Sequence, residues 1–150
     1  MTPLFKKLDL TTQPVIHVLD APAPFAPELA ALTGVEVRHE LAGPSRFVIA
    51  FVTTLAQVAS VGARIGRHAE GDAVVWMAYP KAASRRYRCE FNRDSGWAAL
   101  GQAGFEAVRQ VAIDEDWSAL RFRRVAFIPS ITRHPDGTLS QAGRARASAK

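Results

Sequence analysis

Cysteine is nearly absent from this chain. Cys89 is the only one in 150 residues, so no disulfide can form within it, and a reducing, cytoplasmic setting is the expectation. Long apolar runs are missing too. No stretch of about 18 apolar residues could cross a membrane. The opening Met1-Thr2-Pro3-Leu4-Phe5-Lys6-Lys7 has no apolar run behind its positive charges, so it does not read as a signal peptide. Familiar enzyme signatures are lacking as well. There is no Gly-x-Ser-x-Gly elbow and no phosphate loop ending in Gly-Lys-Ser/Thr. His17, His39, His68 and His134 stand far apart, and none pairs with Cys89 at metal-ligand spacing, so no metal site is expected. The sequence names no catalytic residue.

What remains describes one ordinary globular domain. With 48% hydrophobic and 22% charged residues, the composition is close to globular averages. A chain of this size buries roughly 68–70% of its extended surface, enough for a full core. The pI near 10.0 invites a nucleic-acid reading, but the charge is local. Residues 81–93 carry a net +4 and residues 133–150 a net +3, leaving −2 for the rest. One loop and one tail are basic; the body is not.

Along the chain, Val15-Ile16-His17-Val18-Leu19 reads as a strand buried on both faces. A helix is expected from Pro24, with Phe25, Leu29 and Leu32 on one face, stopped at Thr33-Gly34. Val35 to His39 alternates as an outer strand does. Phe47 to Val52 is the strongest strand and the natural centre of a sheet. Thr54-Leu55-Ala56-Gln57 has the form of a capping box. The helix it opens should bury Leu55, Val58, Val61 and Ile65, with Gly62 and Gly66 packed on the sheet. Ala73 to Met77 is a fourth strand. Asp94 is expected to cap a short helix containing Trp97 and Leu100, and strands follow at Ala107 to Ile113 and Leu120 to Phe127.

This alternation predicts a three-layer, Rossmann-like α/β fold of about six strands and three helices over residues 1–131. The link at residues 41–46 has no room for a crossover helix. Six extended residues reach about 20 Å, so strands two and three can be parallel, with a hairpin as the alternative. The acidic turn Asp114-Glu115-Asp116 is too short for a crossover, so the last two strands should be antiparallel. Residues 132–150 are polar and aperiodic and read as a disordered basic tail.

Three stretches carry a resemblance: Leu19-Asp20-Ala21-Pro22, Trp76-Met77-Ala78-Tyr79-Pro80-Lys81, and the acidic turn followed by Trp117-Ser118-Ala119-Leu120-Arg121-Phe122. Together they resemble an uncharacterised bacterial family of short α/β proteins, a domain of unknown function, across about residues 1–127. The Trp-Ser-x-Leu-Arg-Phe element is its specific part, and the family supplies no activity. More distantly, the strand order with an antiparallel final hairpin is similar to the methyltransferase branch of Rossmann-like folds. That branch cradles adenosylmethionine on a glycine-rich loop after its first strand. Here the same turn, Asp20-Ala21-Pro22-Ala23-Pro24, has no glycine to let a cofactor approach the backbone, so no cofactor of that kind is expected.

In such folds ligands bind beyond the carboxyl ends of the strands, where strand order reverses. That places Asp20, Thr53, Thr54, Tyr79, Lys81 and Trp117 at the candidate rim, where a lysine and two hydroxyls could hold an anion. Each residue also has a structural use: Thr54 as a helix cap, Asp20 on turn amides, Lys81 as a solvated charge, Trp117 as packing. Arg85, Arg86 and Arg88 around Tyr87 could hold phosphates and stack on a base, or simply pair with the acidic body. The leading expectation is a domain, non-catalytic or cryptically active, that binds a small anionic ligand or a protein partner. A degenerate methyltransferase-like enzyme and a weak, salt-sensitive nucleic-acid binder are the alternatives.

Overall fold

The computed structural model describes residues 2–128; the segment read as a basic tail lies outside the described residues. Six strands form one sheet: β1 (Val15–Leu19), β2 (Glu36–Arg38), β3 (Ser45–Phe51), β4 (Ala69–Pro80), β5 (Phe105–Ala112) and β6 (Trp117–Arg124). Their order is β2-β1-β3-β4-β6-β5. β2, β1, β3 and β4 are mutually parallel, and β6 runs antiparallel to both β4 and β5. This is the mostly parallel Rossmann-like sheet with an antiparallel final hairpin. Strand order reverses between β1 and β3, which makes their carboxyl ends a switch point. The second and third strands are parallel, not a hairpin, and residues 39–44 alone carry the chain back between them.

Four helices accompany the sheet: α1 (Pro3–Lys7), α2 (Ala26–Ala30), α3 (Leu55–His68) and α4 (Ala98–Gln102). The extra one is α1, whose start is capped by the Thr2 side chain accepting from the Phe5 amide. α2 is shorter than its spacing predicts, because the chain enters through a 3-10 turn at Ala23–Phe25 and leaves helix at Ala31. α3 has the expected capping box. Leu55, however, is 49% exposed instead of buried, because it stands at the first helical position, beyond the end of β3. Asp94 caps nothing. α4 starts at Ala98 with Trp97 in the cap position and no side-chain cap, while the Asp94 amide donates to Asn92 Oδ1 in a tight turn. Gly62 and Gly66 face α4, not the sheet: a Cβ on either would stand 3.0 Å from Ala99 or Ala103 Cβ.

The core has two halves. On one face of the sheet, Val58, Val61 and Ile65 of α3 and Leu100 of α4 cover Val48, Ala50, Val75 and Met77. On the other, Phe5, Leu8 and Leu10 of the N-terminal segment cover Ile16, Val18, Phe47, Ile49 and Trp76. Trp76 is fully buried, and its indole N–H donates to the Leu8 carbonyl at 2.8 Å. Asp9 turns the chain at φ 64 and receives both Arg109 and Arg121 on one carboxylate oxygen, each at 2.7 Å. Both guanidiniums also lie over the Trp76 ring, at 5.2 and 6.0 Å. Hydrophobic burial and this charge cluster together fasten residues 4–10 to the sheet.

Candidate functional site

At the carboxyl end of β3 the start of α3 is satisfied from within the chain. Thr54 Oγ1 accepts from the Gln57 amide, and Gln57 Oε1 accepts from the Thr53 and Thr54 amides at 2.6 and 3.1 Å. Glu90 reaches in from the basic loop, and its carboxylate accepts from the Leu55 amide at 2.8 Å. An anion is thus already seated where a helix start attracts one. Asp20 ends β1 exposed, at φ 58, and makes no side-chain hydrogen bond among the described residues. The turn after it folds into proline-containing 3-10 structure. That turn does not fit the close backbone approach that adenosylmethionine makes over glycine.

The carboxyl end of β4 is different. Here a cavity of about 600 Å³ opens between the end of β4, the 81–93 loop and the β5–β6 hairpin. Of the residues picked out from sequence, Tyr79, Lys81 and Arg88 line it. Asp20, Thr53, Thr54, Trp117, Arg85 and Arg86 stand outside its lining. Sequence reasoning did not single out Phe91, Asn92, Arg93, Gln110 or Ser118, which also belong to the wall.

Tyr79 is 4% exposed and is held by ring contacts with Trp97 and Phe91, centroids 5.5 and 6.1 Å away. Its hydroxyl oxygen accepts from Gln110 Nε2 at 3.0 Å. Burial pushes its pKa up, against the charge of nearby Arg93, so the phenol stays protonated. With its oxygen accepting from Gln110, its own proton is left for an acceptor in the cavity. Burial likewise pushes the Cys89 thiol up, which keeps it a poor nucleophile at neutral pH.

The loop is pinned at both ends. The Glu90 amide donates to Thr53 O at 3.0 Å. At the other end Lys81 N donates to Asp116 O, and Ser84 Oγ donates to the Asp116 carboxylate at 2.9 Å. Arg86 approaches the same carboxylate at 3.9 Å. Tyr87 packs on Trp117, centroids 4.9 Å apart, and Trp117 in turn meets Phe51 at 5.2 Å. The charged residues lining the cavity are Lys81, Arg88 and Arg93, all cationic. Among the described residues none of the three is in an ion pair.

A second cavity, about 430 Å³, lies beside His17 under residues 39–44, where a crossover helix would otherwise cover the sheet. Ser45 Oγ donates to Phe47 O at 3.0 Å, so it accepts from His17 Nδ1, 2.7 Å away. Burial first, then the Arg38 charge, holds the His17 imidazole below its usual pKa. His39 donates from Nδ1 to Val18 O at 3.1 Å. Among the described residues no three His, Cys, Asp or Glu side chains are grouped to hold a metal, and no helix is long and apolar enough to cross a membrane.

No protein-family model matches the chain, and no curated protein matches it. Solved structures do. The N-methyltransferase NodS from Bradyrhizobium japonicum WM9 matches at 13% identity and a TM-score of 0.48, over 81% of this chain and 92% of that one. The pyocyanin biosynthetic protein PhzM matches at 13% identity and 0.47, over 78% of this chain and 52% of that one. LepI in complex with SAM matches at 14% identity and 0.44, over 82% and 47%. At these identities the likeness concerns the fold, and the functional reading rests on the chain's own cavities.

Proposed function

We propose that this domain binds a small anionic ligand in the cavity at the carboxyl end of β4, as a binding module and not through a catalytic constellation. One observation carries the reading: every charged residue lining that cavity is cationic, and none of them has an acidic partner among the described residues. Unpaired cations gathered around a concave, partly apolar space favour an anion, because a ligand there gains charge-assisted hydrogen bonds without displacing an existing ion pair. The helix start at Thr54 has no such opening, since Glu90 fills it. Glu90 also keeps Arg88 and Arg93 in place by tying the loop to Thr53 and Leu55.

Calorimetric titration with phosphate, pyrophosphate and citrate in low-salt buffer tests the reading. Saturable binding of at least one anion is expected, weakening as salt is added and lost when Arg88 and Arg93 are both replaced by alanine. Silence from all three anions at low salt overturns it.

A further inference from the structure

Resting on that reading, we infer that the ligand is an aromatic or heteroaromatic phosphate, a flat ring joined to one phosphoryl group. A lone inorganic anion would leave most of a cavity of about 600 Å³ to water, a volume typical of sites for whole small molecules. The lining also carries three aromatic side chains, Tyr79, Tyr87 and Phe91. Tyr79 and Phe91 are buried against each other, centroids 6.1 Å apart, whereas Tyr87 is half-buried with its ring packed on Trp117. A braced, half-exposed ring such as Tyr87 gives a flat ligand a stacking surface at little entropic cost. Other lining residues are suited to phosphoryl oxygens. Arg88 and Arg93 are fork-shaped donors, Lys81 adds a point charge, and the Tyr79 hydroxyl has its proton left over. Arg93 and Tyr79 line the same cavity. The lining therefore combines a braced aromatic ring with unpaired cations.

The experiment compares phenyl phosphate with inorganic phosphate and with phenol, each titrated calorimetrically into the full chain. Phenyl phosphate should bind about tenfold tighter than inorganic phosphate, the gain of one stacked ring, and phenol should bind weakest. Tyr87→Phe should keep the ring advantage, and Tyr87→Ala should remove it while leaving phosphate affinity within about twofold. Tyr87→Ala is compared only if its circular dichroism and melting midpoint match the parent; otherwise Tyr87→Leu replaces it. If phenyl phosphate binds no tighter than phosphate, the aromatic half is wrong and the anion reading stands. If neither binds, the aromatic phosphate is ruled out, and the anion reading falls with it once pyrophosphate and citrate are silent as well.

Discussion

Arg109, Arg121 and Arg123 on the β5–β6 hairpin carry the same charge as Lys81, Arg88 and Arg93 around the cavity, in opposite surroundings. Each of these three meets an acid: Asp9 holds the first two, and Asp72 holds Arg123 in a two-pronged contact of 2.9 and 2.7 Å. Asp9 and Asp72 lie far from these arginines in sequence, so the contacts exist only once the chain is folded and belong to its stability. The cavity cations have no such acid among the described residues. The comparison sorts positive charge into two uses that composition cannot separate. The three hairpin cations hold the fold together through distant acids, as Arg124 does through the Ala69 carbonyl at 2.6 Å, whereas the three at the cavity make no such contact with an acid among the described residues.

The largest test concerns Trp76, the surface against which Arg109, Arg121 and the N-terminal segment are packed. Trp76→Ala should cost about 3–5 kcal/mol, the usual range for emptying a buried aromatic site, read from urea denaturation. Trp76→Phe should fall between it and the parent, because it keeps the ring but loses the bond to Leu8 O. A loss under about 1 kcal/mol for the alanine variant would mean that residues 4–10 are not docked as described.

Next in size is Asp9→Asn. Asparagine tolerates the left-handed backbone at this position, so the change isolates the charge. Arg121 has an 11% exposed side chain and loses its acid, while Asp9 itself is 37% exposed. The cost should therefore be on the order of 2 kcal/mol, below the range for a fully buried pair. Equal stability of the Asn variant and the parent would place Arg121 with the free cations and erase the distinction.

The sequence shows the sheet well because apolar, β-branched runs such as Val15–Leu19 and Phe47–Val52 announce buried strands directly. The capping box at Thr54 and Gln57 is equally plain, being local chemistry. α1 is not legible, since five residues have little helical stability of their own, and Pro3–Lys7 is helical because Phe5 finds a pocket beside Phe25 and Phe47. The site is only partly legible for the same reason. Tyr79, Lys81 and Arg88 follow one another near the end of a readable strand. Gln110 and Ser118 reach the cavity only because β6 inserts between β4 and β5, a strand order that no local pattern encodes. Arg93 could have been found, since it belongs to the basic stretch already marked by its net charge.

Acid should act on the fold in two steps, and neither should involve the cavity cations. Burial and Arg38 lower the pKa of His17, so the unfolded chain takes up its proton first. The stability this gives is present above the unfolded value near 6.5 and is lost as pH falls below it. Hydrogen bonding to Arg123 lowers the pKa of Asp72, so its contribution persists to lower pH and is lost below about pH 4. Urea midpoints between pH 8 and 3 should show both slopes. His17→Asn should flatten the upper slope and Asp72→Asn the lower; a His17→Asn profile parallel to the parent between pH 7 and 5 would contradict the first assignment.

The smallest effect on stability is the most telling for function. Arg88 and Arg93 are exposed and without acidic partners among the described residues, so replacing both with alanine removes no ion pair and opens no cavity in the core. Surface changes of this kind stay within about 0.5 kcal/mol. Relief of like-charge repulsion, in a loop of net +4, would make any change slightly stabilising at low salt. The double variant should therefore unfold at the parent's urea midpoint or just above it while losing anion binding. Asp9→Asn should do the reverse, lowering the midpoint and leaving anion affinity unchanged, because Asp9 lies outside the cavity lining. Measuring both variants both ways crosses stability against binding. A marked fall in stability in the arginine double variant would show that these cations also hold the loop in place, and the two populations would no longer be distinct.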